Sequence, residues 1–117
     1  MSVSAIWLDQ EQAKIFRFSD GKMEINHLKS KHQDHHTHRL DHLDQKRQES
    51  VFFAEAVACL TEATRVLILG PGNTKDHFHK YVTQHHADLG NKIGACETVD
   101  HPSDPQIAAH ARVFFNL

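Results

Sequence analysis

The amino-acid sequence predicts an α/β fold, a mixed five-stranded sheet with three helices. Three features of the sequence predict it. The segment 3–28 contains three runs of alternating side chains joined by short polar turns, the pattern of an antiparallel meander. The run 65–69 is continuously apolar after its first residue, as in strands that are buried on both faces. Segments with helical spacing precede and follow that run, which indicates βαβ units with parallel strands.

The meander consists of the first three predicted strands, which cover residues 3–9, 12–18 and 22–28. Apolar side chains occupy both faces of the first strand, so we expect it to be buried on both faces. Asp20-Gly21 is typical of two-residue hairpin turns and predicts antiparallel pairing of the second and third strands. The third strand places Met23, Ile25 and His27 on one face. Its free edge can pair with a second copy, so a homodimer is one expectation.

The rest of the chain alternates helices and strands. The predicted elements are a helix over 47–64, a strand over 65–69, a helix over 74–87, a strand over 93–99 and a final helix that Ser103 or Asp104 caps. The first of these helices has an apolar stripe at helical spacing, formed by Phe52, Ala56, Cys59, Leu60 and Ala63. Right-handed crossovers between the parallel strands give the strand order 3-2-1-4-5. This is the topology of the ribonuclease H-like class.

Composition limits the classes of function. A chain of 117 residues and 13.4 kDa fits one domain, which we place over 1–117. Its formal net charge of −2 argues against a nucleic-acid binder that relies on bulk positive charge. The sequence starts with neither the basic nor the apolar part of a signal peptide, and no apolar run suits a membrane span, which predicts a cytoplasmic protein without membrane contact. Cys59 and Cys96 lack CxxC spacing, which fits a reducing compartment.

Histidine is unusually frequent, with 12 His in the chain. Because free imidazoles titrate near ~6.5, protonating most of them would make the chain basic. Many of them fall in the segment 29–46, which contains no Gly, Pro, Phe, Tyr or Trp. So few apolar side chains cannot offset the entropy lost on ordering the segment. We therefore predict a His-rich exposed loop at 29–46, or a projecting polar helix end.

Two kinds of site are compatible with this segment. On a helix, His35, His38 and His42 would share one face, and imidazole ligands suit zinc or nickel. In a contact with RNA, basic side chains would touch phosphates and histidines would stack on unpaired bases. The residues of that predicted RNA contact are Lys29, Lys31, His35, His36, Arg39, Lys46 and Arg47. A third interpretation is a solvated loop whose imidazoles have no ligand.

A second candidate site follows the apolar strand and opens the next helix. Free backbone N–H groups and the helix dipole at such a turn can hold an anion. The residues of this predicted anion site are Gly70, Gly72, Asn73, Thr74 and Lys75. The segment does not match a P-loop, which needs GxxxxGK followed by Ser or Thr. Asp9 would lie near it at a topological switch point, where ligands bind, but an ordinary strand-to-helix turn explains the same residues.

Asp100 and His101 should emerge at the same edge of the sheet as Gly70. With Asp9 or Lys75 nearby they could act as a general-base pair, or they could serve as a cap and loop tie. The sequence shows neither the converging carboxylates of a two-metal nuclease nor the GxSxG elbow of a serine hydrolase. It therefore favours a function without catalysis.

Three segments resemble a known family. Ala5-Ile6-Trp7-Leu8-Asp9 with the following 13–16, the segment 67–75 and the segment 97–104 resemble short bacterial translational machinery proteins. Those proteins look like the middle domain of archaeal and eukaryotic peptide-chain release factors and Pelota. The resemblance covers nearly the whole chain except the His-rich segment, and it implies a ribonuclease H-like sheet and a link to ribosomes or tRNA.

The resemblance also locates a motif that this chain lacks. In release factors the loop between the third strand and the long helix carries Gly-Gly-Gln, which promotes peptidyl-tRNA hydrolysis. The corresponding segment 29–46 contains no glycine, so the backbone freedom of Gly-Gly is absent and no catalytic role carries over.

The leading hypothesis from the sequence is a non-enzymatic, translation-associated binding module that contacts the ribosome or tRNA through the His-rich loop. The alternative is a metal-binding protein that uses the His cluster for zinc or nickel. A third hypothesis is an enzyme or anion sensor at 70–75 with Asp9, Asp100 and His101.

Overall fold

The computed structural model describes residues 2–30 and 42–117. Its strands are β1 (Ser2–Leu8), β2 (Gln12–Ser19), β3 (Lys22–Lys29), β4 (Ala63–Gly70) and β5 (Ile93–Thr98). Its helices are α1 (His42–Ala58), α2 (Thr74–His85), α3 (Ala87–Gly90) and α4 (Asp104–Phe115). Every strand and the helices α2 and α4 of the described part lie close to their predicted positions.

The strands form one sheet in the order β3-β2-β1-β4-β5, which confirms the predicted order. β1 pairs antiparallel with β2 and parallel with β4, and β4 pairs parallel with β5. Because β3 is antiparallel to β2, it runs in the direction of β1. Four strands, β1, β3, β4 and β5, therefore end at one edge of the sheet, called here the carboxyl edge.

The β2–β3 hairpin turns at the dipeptide that the sequence singled out. Asp20 and Gly21 both have positive φ, 54° and 76°. This is the conformation of a type I′ turn, whose twist matches that of the flanking strands. The turn fixes the register, in which Phe18 lies opposite Met23 and Phe16 opposite Ile25.

Two hydrophobic cores lie on opposite faces of the sheet. The first packs α1, α2 and α3 on alternate residues of the strands, such as Ile6, Leu8 and Ile68. The second packs α4 on the residues between them, such as Trp7 and Leu67. Both faces of β1 and β4 are therefore buried, as expected for central strands of a mixed sheet.

The prediction of three helices is wrong, because the described residues also contain α3. This helix has only four residues, too few for a helical spacing of apolar side chains to be visible. Its Leu89 is buried in the first core. α3 thus covers the part of the first core next to the end of α2, before the chain enters β5.

The boundaries of α1 also differ from the prediction of 47–64. The helix ends at Ala58, because Ala63 pairs with Ser2 and starts β4. Ala63, which the predicted helical stripe included, therefore belongs to a strand that pairs in parallel with β1. Phe53 and Val57, which the predicted stripe omitted, are buried in the first core.

The predicted loop 29–46 is bounded by regular structure at both ends. Lys29 is the last residue of β3 and pairs with Gln12, and the N–H of the buried Ser30 donates to the Glu11 carbonyl at 2.8 Å. α1 begins at His42, so 42–46 belong to a helix. The remainder, 31–41, lies outside the described residues.

β3 forms one border of the sheet and is exposed along nearly its whole length. Only Leu28 packs partly against the first core. The predicted pairing of this edge with a second copy stays a prediction. In the described part of the chain, every helix is too short or too polar to cross a membrane.

Candidate functional site

The carboxyl edge gathers the segments that the sequence singled out. β4 leads into α2 there, β5 leads into α4, and β3 ends there ahead of the His-rich segment. The N-terminal ends of α2 and α4 therefore lie at this edge, with the positive ends of their dipoles. This edge is our candidate functional site.

α1 also starts on this side. His77, in the first turn of α2, has its Nδ1 atom 3.4 Å from Glu49 Oε2 of α1. Because Glu49 is level with the start of α2, the part of α1 that precedes Glu49 extends beyond that start. Lys46 and Arg47 lie in this part and are exposed.

The ends of β1 and β4 approach each other closely at Gly70. A Cβ atom at this position would lie less than 3.0 Å from the Leu8 carbonyl oxygen, so only glycine fits without a backbone shift. The Gly70 carbonyl in turn accepts a hydrogen bond of 2.9 Å from the N–H of Val99. One residue thus holds the ends of three strands together.

The predicted anion site forms a strand-to-helix turn at this edge. Lys75 is buried, and its Nζ donates to the Gly72 carbonyl at 2.6 Å and lies 3.3 Å from Asp76 Oδ2. Thr74 is buried as well, and Asn73 makes no side-chain cap bond. The structure therefore brings the five residues together, but the ammonium group already contacts oxygen atoms of the protein. Anion binding at this turn stays a prediction.

Asp9, Asp100 and His101 lie together, as the sequence suggested. His101 Nδ1 is 2.9 Å from Asp100 Oδ1, and its Nε2 is 3.7 Å from Asp9 Oδ2. The other oxygen of Asp9 accepts backbone N–H bonds from Glu11 and Gln12 at 2.8 and 2.9 Å. Both ring nitrogens thus lie near carboxylates, and a general-base role of this pair stays a prediction. The contacts fit a loop tie between β1 and the segment after β5.

Trp7 completes this tie. Its Nε1 donates to the Asp100 carbonyl at 2.9 Å, and its ring meets the His101 ring edge-on with centroids 5.3 Å apart. Lys14 Nζ lies 5.9 Å from the centre of the indole and 2.9 Å from Asp104 Oδ1. A buried aromatic ring thus joins β1, β2 and the start of α4.

Beside the tie lies an open cleft of about 510 Å³, which sequence reasoning missed. Its lining includes Leu69, Val99, His101, Pro102, Gln106 and His110. His110 Nε2 is 2.7 Å from Glu97 Oε1, which connects α4 to β5. This pairing depends on how α4 crosses the sheet, so no local sequence signal could have indicated it.

Cys96 lies near the start of α2, with its Sγ 3.8 Å from Asp76 Oδ1. Burial, followed by the negative charge of Asp76, raises the pKa of the Cys96 thiol to about 11. Burial also raises the pKa of the Cys59 thiol. Both cysteines are therefore protonated at neutral pH, and neither is an activated nucleophile.

Comparison with known proteins shows that this chain is similar to Pelota homologues. The chain is 27% identical over 93 residues to a Pelota homologue from Methanococcus aeolicus and 29% identical over 101 residues to one from Methanococcus vannielii. These matches cover 78% and 85% of this chain. No protein-family model matches the chain.

Solved structures show the same relation at the level of fold. Archaeoglobus fulgidus Pelota superposes with a TM-score of 0.68 at 14% identity, over 96% of this chain and 31% of that one. The archaeal translation termination factor aRF1 gives 0.63 at 16% identity, over 98% and 40%. S. cerevisiae Dom34 gives 0.61 at 8% identity, over 92% and 31%.

These comparisons sharpen the resemblance drawn from the sequence. The likeness to Pelota and to an archaeal release factor is confirmed, and the chain spans about a quarter of the length of the curated relatives, 26% and 28%. Those relatives are archaeal, and the comparisons give no support to the bacterial family. They do not support the ribonuclease H-like label either, although the strand order that suggested it is observed.

The predicted RNA contact and metal cluster are described only in part. Lys29 is exposed at the end of β3, and Lys46 and Arg47 are exposed on α1. The other residues of the RNA contact, Lys31, His35, His36 and Arg39, lie outside the described residues. So do two members of the metal cluster, His35 and His38, while His42 is the first residue of α1.

Metal binding has no support elsewhere in the described part. Among residues 2–30 and 46–117, no three His, Cys, Asp or Glu side chains are arranged to hold a metal ion. Zinc or nickel binding by the His cluster therefore stays a prediction.

Proposed function

We propose that this chain is a translation-associated binding domain that contacts RNA of the ribosome, or tRNA, through the carboxyl edge and the segment 29–47. The observation that carries the proposal is the position of the two ends of that segment. Lys29 leaves the sheet at the carboxyl edge, and Lys46 and Arg47 return on the part of α1 that extends beyond the start of α2. Exposed basic side chains thus flank the His-rich segment on both sides.

The names of similar proteins also support a role in translation. The relatives are Pelota homologues, and one structural neighbour is described as a translation termination factor. Dom34 is described as a translation termination-like factor that is involved in RNA quality control and interacts with Hbs1. We propose that the chain works in the cytoplasm, where translation takes place, and that it binds without catalysing a reaction.

Charge determines how such binding depends on conditions. The net charge is −2, so attraction to phosphates must come from the local basic side chains rather than from the whole molecule. Affinity should then fall steeply with salt, because each phosphate contact releases a counterion. It should rise as pH falls toward about 6, because protonated imidazoles add positive charge to the segment.

Co-sedimentation with purified ribosomes tests the proposal. Two variants each remove two positive charges: Lys46→Gln with Arg47→Gln on α1, and Lys80→Gln with Lys92→Gln as the matched control on exposed positions elsewhere. We expect the α1 variant to weaken binding and to reduce the salt slope by about 1 to 2. The control should bind like the wild type.

Two results would refute the proposal. One is no association with ribosomes or tRNA at physiological salt, either at about pH 6 or at about pH 7.5. The other is equal loss of binding in both variants, which would mean that only bulk charge matters. Parallel measurements with isolated subunits and with deacylated tRNA distinguish the two RNA targets.

A further inference from the structure

The two faces of the sheet are covered unequally. Three helices pack on one face, whereas in the described part of the chain α4 alone packs on the other. α4 lies over the centre of the sheet and toward β5, where the Phe114 ring closes over Gly94. Beside α4, on the β2–β3 side, the same face has no second helix among the described residues.

Apolar side chains are exposed at this uncovered position. Met23 and Ile25 are the cross-strand partners of Phe18 and Phe16, so they share the face on which α4 packs. They are 37% and 42% exposed, whereas both phenylalanines are buried. An apolar surface thus continues from the second core to the border of the sheet.

Between β3 and the end of α4 this surface forms a cleft of about 380 Å³. Its lining includes Val3, Phe18, Met23, Arg112 and Leu117. Together with Ile25, these residues define the α4–β3 groove. Leu117 is 67% exposed, so large apolar side chains face solvent at both sides of the groove.

Two basic side chains, Arg112 and Lys22, line the α4–β3 groove together with one acidic side chain. The Arg112 guanidinium lies 5.4 Å from the centre of the Phe18 ring, and its Nη2 is 3.9 Å from Met23 Sδ. Among the described residues, Arg112 has no carboxylate partner within 4.0 Å, and neither does Lys22 at the end of the groove. Asp20 is the acidic residue in the lining.

We propose that the α4–β3 groove docks an acidic amphipathic helix of a partner protein. Helices pack about 8 to 10 Å apart, so a helix lying beside α4 would cover the exposed residues of β3. Its apolar face would lie on Met23 and Ile25, and its acidic residues would meet Arg112 and Lys22. The apolar floor favours a protein partner over RNA.

The same charge argues against a second copy in this place. In a two-fold contact the same patch of each molecule meets itself, and in each patch the basic side chains Arg112 and Lys22 outnumber the acidic Asp20. Like charges in contact oppose association. An acidic partner has no such penalty.

The test uses two synthetic helical peptides with leucines at i, i+3, i+4 and i+7. In one peptide the other positions are mainly Glu, and in the other they are Lys. Methyl NMR of the full chain follows the Met23 and Ile25 side chains. The Glu peptide should shift both methyl signals saturably, and the Lys peptide should not.

A charge swap makes the test specific. Arg112→Glu should weaken the Glu peptide by about tenfold or more and create binding of the Lys peptide. Lys92→Glu, at an exposed position outside the lining of the groove, is the control and should change neither. Ile25→Ser should weaken the Glu peptide without changing its preference over the Lys peptide.

Four results would overturn the proposal. The methyl signals remain unchanged with both peptides, or respond equally to both. They shift with protein concentration alone, which indicates self-association. They shift with an RNA oligonucleotide instead of the Glu peptide, which makes the groove an RNA contact.

Discussion

At the carboxyl edge, one missing methyl group allows three strand ends to meet. A Cβ at Gly70 would clash with the carbonyl oxygen of Leu8, which belongs to the backbone and cannot rotate away. We predict that Gly70→Ala lowers the free energy of unfolding by about 1 to 3 kcal/mol, because the ends of β1 and β4 must separate.

Gly72 supplies the control for this prediction. A Cβ at Gly72 would meet no atom within 4 Å, so Gly72→Ala should change the free energy of unfolding by less than about 0.5 kcal/mol. Urea denaturation of both variants measures the difference. Equal stability of the two variants would show that the β1–β4 contact at this edge is looser than described.

The Cys96 thiol provides a second prediction at the scale of one residue. Its pKa is raised to about 11 by burial and then by Asp76, so the thiolate is scarce below pH 9. In a Cys59→Ser background, we expect alkylation by iodoacetamide to accelerate with pH up to about 11 rather than level off near 9. Asp76→Asn should move this profile to lower pH.

The same pKa has a consequence for stability with a definite sign. A thiol whose folded-state pKa lies above its unfolded value stabilises the fold while it is protonated. This contribution is complete below the unfolded value of 9.0 and is lost as pH rises toward about 11. An alkylation profile that levels off near 9 would contradict the half-buried position of Cys96 beside Asp76.

Some single residues could be predicted from the sequence and others could not. The Asp20-Gly21 turn and the Ser103 cap have local signatures, and both are confirmed. Helical spacing over the predicted 74–87 would place His85 toward the core, but His85 is exposed and His86 is half-buried. α2 ends at His85, and the backbone of His86 turns toward α3, so the helical spacing no longer applied.

At the scale of elements, the helix starts of α4 and α2 differ in a testable way. Ser103 Oγ accepts from the N–H of Gln106 at 3.3 Å, and Gln106 Oε1 accepts from the N–H of Ser103 at 2.9 Å, a complete capping box. Asn73 stands at the start of α2 without a side-chain cap bond.

We therefore predict that Ser103→Ala lowers the free energy of unfolding by about 1 kcal/mol. Asn73→Ala, which removes no cap bond, should cost less than about half of that. Thermal or urea denaturation monitored by circular dichroism compares the two variants. A larger loss for Asn73→Ala would mean that its side chain stabilises the turn in another way.

Element boundaries show where local pattern stops being informative. β1, β2 and β3 were predicted within one or two residues, because alternation and turn residues mark them. The end of α1 was misplaced because Ala63 fits a helical stripe as well as it fits a strand. Only its pairing with Ser2, about sixty positions earlier, decides between the two.

The candidate site, too, could be predicted only in part from the sequence. The carboxyl edge was predictable from topology, since the directions of the strands determine which loops share an edge. The contacts within it were only partly predictable. The closeness of His101 to Asp9 follows from the strand order, whereas the pairing of His110 with Glu97 depends on how α4 crosses β5.

At the scale of the whole molecule, the central strands belong to both cores at once. Leu67 and Ile68 are adjacent in β4 and are both fully buried, but they point to opposite faces. Neither face can lose its packing without disturbing the strands that support the other. The molecule should therefore unfold as one cooperative unit.

Two probes can compare the two faces. Trp7 is the single tryptophan of the chain and lies in the α4 core, so its fluorescence reports that face. Far-ultraviolet circular dichroism is dominated by helices, and α1, α2 and α3 pack on the opposite face. We predict that the urea curves of the two probes coincide in the wild type.

Substitutions at two adjacent positions of β4 give a more demanding test of this prediction. Leu67→Ala and Ile68→Ala should each lower the free energy of unfolding by about 2 to 5 kcal/mol, because each leaves a cavity in a different core. Since the cores share β1 and β4, each substitution should shift both curves to the same lower urea concentration. If Leu67→Ala shifts only the fluorescence curve, or Ile68→Ala only the circular dichroism curve, then the faces unfold independently and the sheet does not couple them.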